Sequence, residues 1–210
     1  MDHPYEAPHL LNMGSSIGSG TLFPIDNLPE GLLYQPDFLS EAEEADLLRI
    51  FRELPFRAFD FHGYTAKRRV LEFGFEYDFT SRRATPTQSF PAFLSPVRER
   101  AARFAGLSTA DLVEGMVTEY SAGAPIGWHR DAPQFGTVIG ISLASTSRMR
   151  FKPYKAEGKP VALTLEPRSI YVMRGPARWK FQHSIPSVKE LRYSITFRTL
   201  RDKEKKTEAA

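Results

Sequence analysis

A chain of 210 residues, 41% of them hydrophobic and 25% charged, has enough apolar material for one sizeable core and shows no internal repeat. It contains no cysteine, which excludes a disulfide framework and any thiolate metal site, so a bound metal must take nitrogen and oxygen ligands. The net charge of +3 hides a split: residues 1–147 carry 12 Lys/Arg against 19 Asp/Glu and residues 148–210 carry 16 against 6, so the second half favours polyanionic partners.

Residues 1–30 lack periodicity and include a Gly/Ser-rich run at 13–20, which predicts a poorly ordered tail; His3 and His9 within it are not expected to be ligands. Ser40 and Glu43 stand in capping-box register before the apolar stripe Ala45, Leu47, Leu48, Phe51 and Leu54, which predicts a helix stopped by Pro55. Over residues 71–79 apolar side chains alternate with Glu72, Gly74, Glu76 and Asp78, the period of one strand buried on one face. The segment before it, with Phe61, His62, Tyr64 and the basic run Lys67, Arg68 and Arg69, is expected to form a flap that offers rings for stacking and cations for phosphate. A loop over 86–93 precedes a second helix, opened by Ser95-Pro96 and ended at Gly106, with Arg98, Arg100 and Arg103 along a solvated side.

Short strands are then predicted at 114–120, 137–143, 148–152, 161–165 and 169–173, and the segment 178–185 brings up His183. Many short strands after a helical first half give a mainly β core flanked by helices, in the α+β class. The last run, 202–210, reads as a charged, solvated end. No apolar run is long enough to cross a membrane and no basic-then-apolar leader is apparent, so a cytoplasmic monomer with no membrane partner is expected.

The run Gly127-Trp128-His129-Arg130-Asp131 carries the chemistry. In extended backbone His129 and Asp131 project to one side and Arg130 to the other. Alone, the pair is read more readily as an exposed loop pair or a buried histidine satisfied by a carboxylate than as a metal site. With His183 as a third ligand it becomes a two-His-one-carboxylate facial triad, which leaves open positions on Fe(II) for oxygen chemistry. In the strand 192–198 one face carries Arg192, Ser194, Thr196 and Arg198, and the other Tyr193, Ile195 and Phe197. The polar face is either solvated or lines a pocket in which forked guanidinium groups grip a small diacid.

Taken together, His129-x-Asp131, His183 and Arg-Tyr-Ser-Ile-Thr-Phe-Arg at 192–198 resemble the AlkB-type branch of the Fe(II)/2-oxoglutarate-dependent dioxygenases, over residues 64–201. Tyr120 stands where that family has the tyrosine of an Asn-x-Tyr motif; Thr118 replaces its Asn, and Ser194 replaces an Asn often found between the arginines. The resemblance implies a double-stranded β-helix, a jelly-roll relative, in one dioxygenase domain over 31–201: helical support and a substrate lid in 31–110, the β core in 111–201. It implies Fe(II) on His129, Asp131 and His183, with 2-oxoglutarate and O2 as co-substrates. Arg192 would pair with the distal carboxylate of 2-oxoglutarate, with Thr118, Tyr120, Ser194 and Thr196 as supporting contacts, and Arg198 would lie near the metal against Asp131. The implied substrate is an N-alkylated base in DNA, with RNA as an extension, demethylated with release of succinate, CO2 and formaldehyde. Trp128, Tyr64, Phe75, Tyr77, Arg68 and Arg69 are the residues expected near it. Hydroxylation or demethylation of tRNA, protein or a small molecule is the alternative, followed by a non-catalytic barrel that binds metal or a small acid.

Overall fold

Two helices brace one side of a β structure that the computed structural model describes over residues 28–61, 64–78 and 83–201. The tail histidines His3 and His9, together with His62, Phe79 and the charged end from residue 202, lie outside those residues. In chain order the elements are β1 (Leu32–Gln35), α1 (Glu41–Phe51), β2 (Arg57–Phe61), β3 (Tyr64–Phe73), β4 (Phe75–Asp78), β5 (Arg83–Pro86), α2 (Ser95–Ala105), β6 (Leu112–Tyr120), β7 (Ile126–His129), β8 (Phe135–Leu143), β9 (Ser147–Pro153), β10 (Val161–Leu165), β11 (Ile170–Met173), α3 (Gly175–Trp179), β12 (Phe181–Ile185) and β13 (Arg192–Leu200).

The capping box predicted for α1 is formed. The backbone N–H of Glu43 donates to Ser40 Oγ at 3.2 Å, and the Ser40 N–H donates to the Glu43 carboxylate at 2.8 Å, which answers N–H groups the helix itself leaves open. The α2 helix ends as predicted at Gly106, in the left-handed conformation with φ 68°. Of its arginines, Arg103 is exposed as expected, while Arg98 and Arg100 depart from the solvated side. Arg98 donates to the Leu112 carbonyl at 2.7 Å and Arg100 to Glu43 at 2.8 Å, so both tie the helix to its neighbours.

A seven-stranded sheet in the order β1-β11-β8-β13-β6-β3-β2 faces a four-stranded sheet in the order β10-β9-β12-β7. Leu47 and Phe51 of α1 and Val97 and Ala101 of α2 share one buried cluster with Val117, Ile141, Ile195 and Phe197 of the larger sheet. A second cluster, containing Val138, Met149, Phe151, Leu163, Met173 and Ile185, lies where the two sheets meet. This is the expected mainly β core with flanking helices, in the antiparallel two-sheet arrangement of a double-stranded β-helix.

The single strand predicted over 71–79 is two strands. Gly74 has φ 77°, and a Cβ there would meet the Val113 carbonyl oxygen at 2.1 Å, so the chain turns at this glycine and β4 pairs with β5 in a separate hairpin. The sequence also gave no sign of β1, whose residues are all half-buried without alternation, or of the five-residue α3. Among the described residues no helix is long and apolar enough to cross a membrane.

Candidate active site

His183 on β12 stands directly across the ladder from His129 on β7 and from Phe151 on β9. This register sets the two imidazoles side by side, with ring centroids 4.3 Å apart. Asp131, just past β7, completes the group: its Oδ2 lies 3.4 Å from His183 Nε2, and one ligand atom from each of the three residues falls within 4.8 Å of the others.

The protonation states suit a cation. Burial, reinforced by His129, lowers His183 to about 3 against the pull of Asp131, and burial lowers His129 as well, so both rings are neutral at pH 7. The His129 Nδ1–H donates to the Gly127 carbonyl at 2.9 Å, which leaves the Nε2 lone pair free. Burial pushes the Asp131 carboxyl up, yet Arg198 and its other cationic neighbours, Arg178 among them, hold it well below the usual carboxylate range. Its Oδ2 is buried with no hydrogen-bond donor. An anionic oxygen left unanswered beside two neutral ring nitrogens is a set that a divalent metal with N/O preference satisfies.

Asp131 is held from two directions. Arg198 donates to its Oδ1 from Nε at 3.2 Å and Nη2 at 3.0 Å, and turns Nη1 to Glu114 at 2.6 Å. Burial pushes the Glu114 carboxyl up to about 7 against Arg198, while that guanidinium, despite burial, is kept above its usual range by Glu114 and Asp131. Arg178, only 3% exposed, donates to the backbone carbonyls of Asp131 (3.3 Å), Ala132 (2.9 Å), Phe135 (2.9 Å) and Gly136 (3.0 Å), so one guanidinium ties together the loop that carries the ligand. Burial lowers Arg178 to about 10, which leaves it charged at pH 7. Glu114 was legible in principle, because it shares a strand face with Thr118 and Tyr120 at period two. Arg178 carried no such signal, since its target is backbone.

Across the interior, β13 pairs Arg192 with Tyr120, Ser194 with Thr118 and Arg198 with Glu114, so all of these share the face turned toward the smaller sheet. Arg192 is 1% exposed, donates to Ser142 Oγ at 3.2 Å and lies over the Tyr120 ring at 4.8 Å. Its Nη1 and the Thr118 Oγ1 are buried without partners. The Tyr120 and Ser194 hydroxyls lie 3.4 Å apart, and Thr196 is buried on the same face. A buried cation with an N–H to spare, beside an unanswered hydroxyl, is a receptor for a small carboxylate. Tyr171 borders this space: a Cβ on Gly140 would meet its ring at 2.2 Å, so the bare strand position makes room for the phenol.

The residues expected near the substrate are scattered. Arg68 pairs with Tyr120 in register and so lies on the interior side, close enough to His129 to lower it. Arg69 points to the opposite face, where its exposed side chain is held by Glu119 through two bonds of 2.9 Å, away from His129 and Asp131. Trp128 alternates away from His129 to the outer surface of the smaller sheet, where Arg150 and Lys152 lie over its ring at 5.0 and 4.6 Å. Tyr64 opens β3, and Phe75 and Tyr77 belong to the β4–β5 hairpin beyond the Gly74 turn.

A family model described as the 2OG-Fe(II) oxygenase superfamily matches residues 31–198. The alkylated DNA repair protein ALKBH8 homolog of Arabidopsis thaliana is 30% identical over 187 residues, which cover 76% of this chain and 51% of the relative. The mitochondrial alpha-ketoglutarate-dependent dioxygenase alkB homolog 7 of Bos taurus is 32% identical over 171 residues, 80% of this chain and 72% of the relative. The tRNA (carboxymethyluridine(34)-5-O)-methyltransferase ALKBH8 of Mus musculus is 28% identical, over 77% of this chain and 25% of its own length. The chain thus spans about half the length of the Arabidopsis relative and about a quarter of the mouse one. Among solved structures, OsALKBH1 superposes with a TM-score of 0.66 at 18% identity over 82% of this chain and 97% of that one, a likeness of fold.

Proposed function

The chain belongs to the 2OG-Fe(II) oxygenase superfamily, on its AlkB-like branch, and from that premise we propose that it demethylates N-alkylated bases in nucleic acid. As a member it is a dioxygenase that works with Fe(II), 2-oxoglutarate and O2. The observation that carries the reading is the pairing of two unanswered groups across one interior, Asp131 Oδ2 beside two neutral imidazoles and the Nη1 of Arg192. The names of the Arabidopsis and mouse relatives, one an alkylated DNA repair protein and the other a tRNA methyltransferase, support a nucleic-acid substrate.

His129, Asp131 and His183 would hold the metal, and Arg192, with Thr118, Tyr120, Ser194 and Thr196, would receive the co-substrate's far carboxylate. When bound, Fe(II) and 2-oxoglutarate would supply the oxidation, in which one oxygen atom of O2 enters succinate as CO2 is lost and the other enters a C–H bond of the N-methyl group, which then leaves as formaldehyde. Arg198 keeps Asp131 ionised and fixed in orientation by spending its fork on Oδ1, which leaves Oδ2 to the metal. Arg178 fixes the backbone on which that carboxylate stands. The burial of Arg192, Ser194 and Thr196 keeps water from competing for the carboxylate.

The test is mass spectrometry of methylated single- and double-stranded DNA, RNA and peptides after incubation with Fe(II), 2-oxoglutarate and ascorbate. Loss of methyl groups from an oligonucleotide is expected, and Asp131→Ala should lower it at least about 100-fold while the fold is kept. Change confined to peptides would overturn the nucleic-acid reading, and undiminished activity of Asp131→Ala would overturn the ligand assignment.

A further inference from the structure

On the middle strand β9 of the smaller sheet, Met149 and Phe151 face the core, and Arg148, Arg150 and Lys152 alternate with them to the outer surface. Their neighbours across the ladders are Thr164 and Ala162 on β10 and Ser184 and Gln182 on β12, none of them acidic. In place of carboxylates, Arg150 and Lys152 have a ring, and Arg150 a hydroxyl besides. Arg150 and Lys152 lie over Trp128, and Arg150 donates to Ser184 Oγ at 3.1 Å. Beyond the strand end, Arg130 and Lys155 lie over Tyr154 at 3.7 and 5.4 Å. By contrast, Arg69, Arg100, Arg168 and Arg198 each meet a carboxylate.

The difference has a physical consequence. A carboxylate cancels the field of the guanidinium it holds, whereas an aromatic face steadies the cation and leaves its charge to act outward. Alternate residues of a strand stand about 6.7 Å apart, so β9 carries an evenly spaced row of positive charge. The row is two strands, about 10 Å, from β7, and Arg130 on the rim of this face is followed directly by Asp131. Glu157 in the β9–β10 connection and Glu166 past β10 are the acidic groups nearest in sequence, and Glu166 accepts from Thr146 Oγ1 at 2.7 Å.

We propose that the outer face of the four-stranded sheet, through Arg148, Arg150, Lys152 and Arg130, is a track for the phosphate backbone of a single-stranded nucleic acid. The inference rests on the nucleic-acid reading above and extends it, giving the strand a path outside the metal site. Cations interleaved with rings on an open sheet face match the make-up of single-strand sites, and a single strand has little stacking to lose when its base enters.

The variant Arg148→Gln, Arg150→Gln, Lys152→Gln tests it, with binding of a labelled, unmethylated single-stranded oligonucleotide followed by fluorescence anisotropy across a salt series. The triple variant should bind at least about tenfold more weakly, with the slope of log K against log salt reduced by about 2. Arg148→Gln alone, at an exposed position, should reduce the slope by about 0.7. Arg148→Gln should keep the wild-type melting temperature, and the triple variant, which also loses the Arg150–Ser184 bond, is compared at a temperature where circular dichroism shows it folded. Wild-type affinity and slope in the variants, with oligonucleotide binding and demethylation intact in the wild type, would overturn the track and leave the substrate class standing. No binding of any oligonucleotide by the wild type would remove both, and binding of anionic lipid vesicles in its place would give the face to a membrane and overturn the proposal.

Discussion

Arg178 shows how much of a metal centre lies in groups that never reach the metal. Its fork closes on four backbone carbonyls, among them that of Asp131, at part-buried to buried positions. Arg178→Ala would orphan several of them at a cost of about 3 kcal/mol, read as a lowered urea midpoint, and should weaken Co(II) binding about 10- to 100-fold. Arg178→Lys keeps the charge and loses the planar fork, so it should recover part of the stability and less of the affinity. Equal Co(II) affinity in all three proteins would show that the loop holds its shape unaided. The juxtaposition of His129, Asp131 and His183 was legible because His-x-Asp has a side-chain period and one distant partner, while Arg178 was not, because a contact to backbone leaves no pattern in side chains.

At the scale of elements, β13 was the best-read strand and the β4–β5 hairpin the worst. Tyr193, Ile195 and Phe197 are buried among the helices while Arg192, Ser194 and Thr196 are buried on the other face, so both halves of the alternation had a reason and the pattern was clean. The run 71–79 alternates just as cleanly, yet it breaks where one residue takes a positive φ, and alternation carries no information about backbone handedness. The break depends on the glycine. Gly74→Ala would place a methyl group 2.1 Å from the Val113 carbonyl in a strained conformation, at a cost of at least about 2 kcal/mol. A thermal melt of that variant matching the wild type would show that the turn has room. The partners on β3 and β6 were also hidden: Arg68 and Arg69 look alike in a basic run, and only pairing with Tyr120 and Glu119 sends one inward and the other to the opposite face.

For the whole molecule, the proposed site is divided between the sheets, with the candidate metal ligands on or beside strands of the smaller and the proposed carboxylate receptor on the larger. Anything that binds both halves must hold the sheets together. A divalent ion at about 100 times its Kd should stabilise the fold by about 2.7 kcal/mol, a rise in Tm of roughly 5–10 °C for a chain of this size. Differential scanning with Mn(II) or Co(II) measures it, and Asp131→Ala should abolish the rise. A rise that survives the substitution would move the ion elsewhere.

That His183 and His129 are opposite members of one antiparallel ladder makes the metal an inspector of strand alignment. Sliding β12 past β7 by one residue would turn an imidazole outward and leave the hydrophobic stripe misplaced with it. Molecules folded out of alignment are therefore blind to iron, and the metal-loaded fraction of a preparation counts the correctly assembled ones.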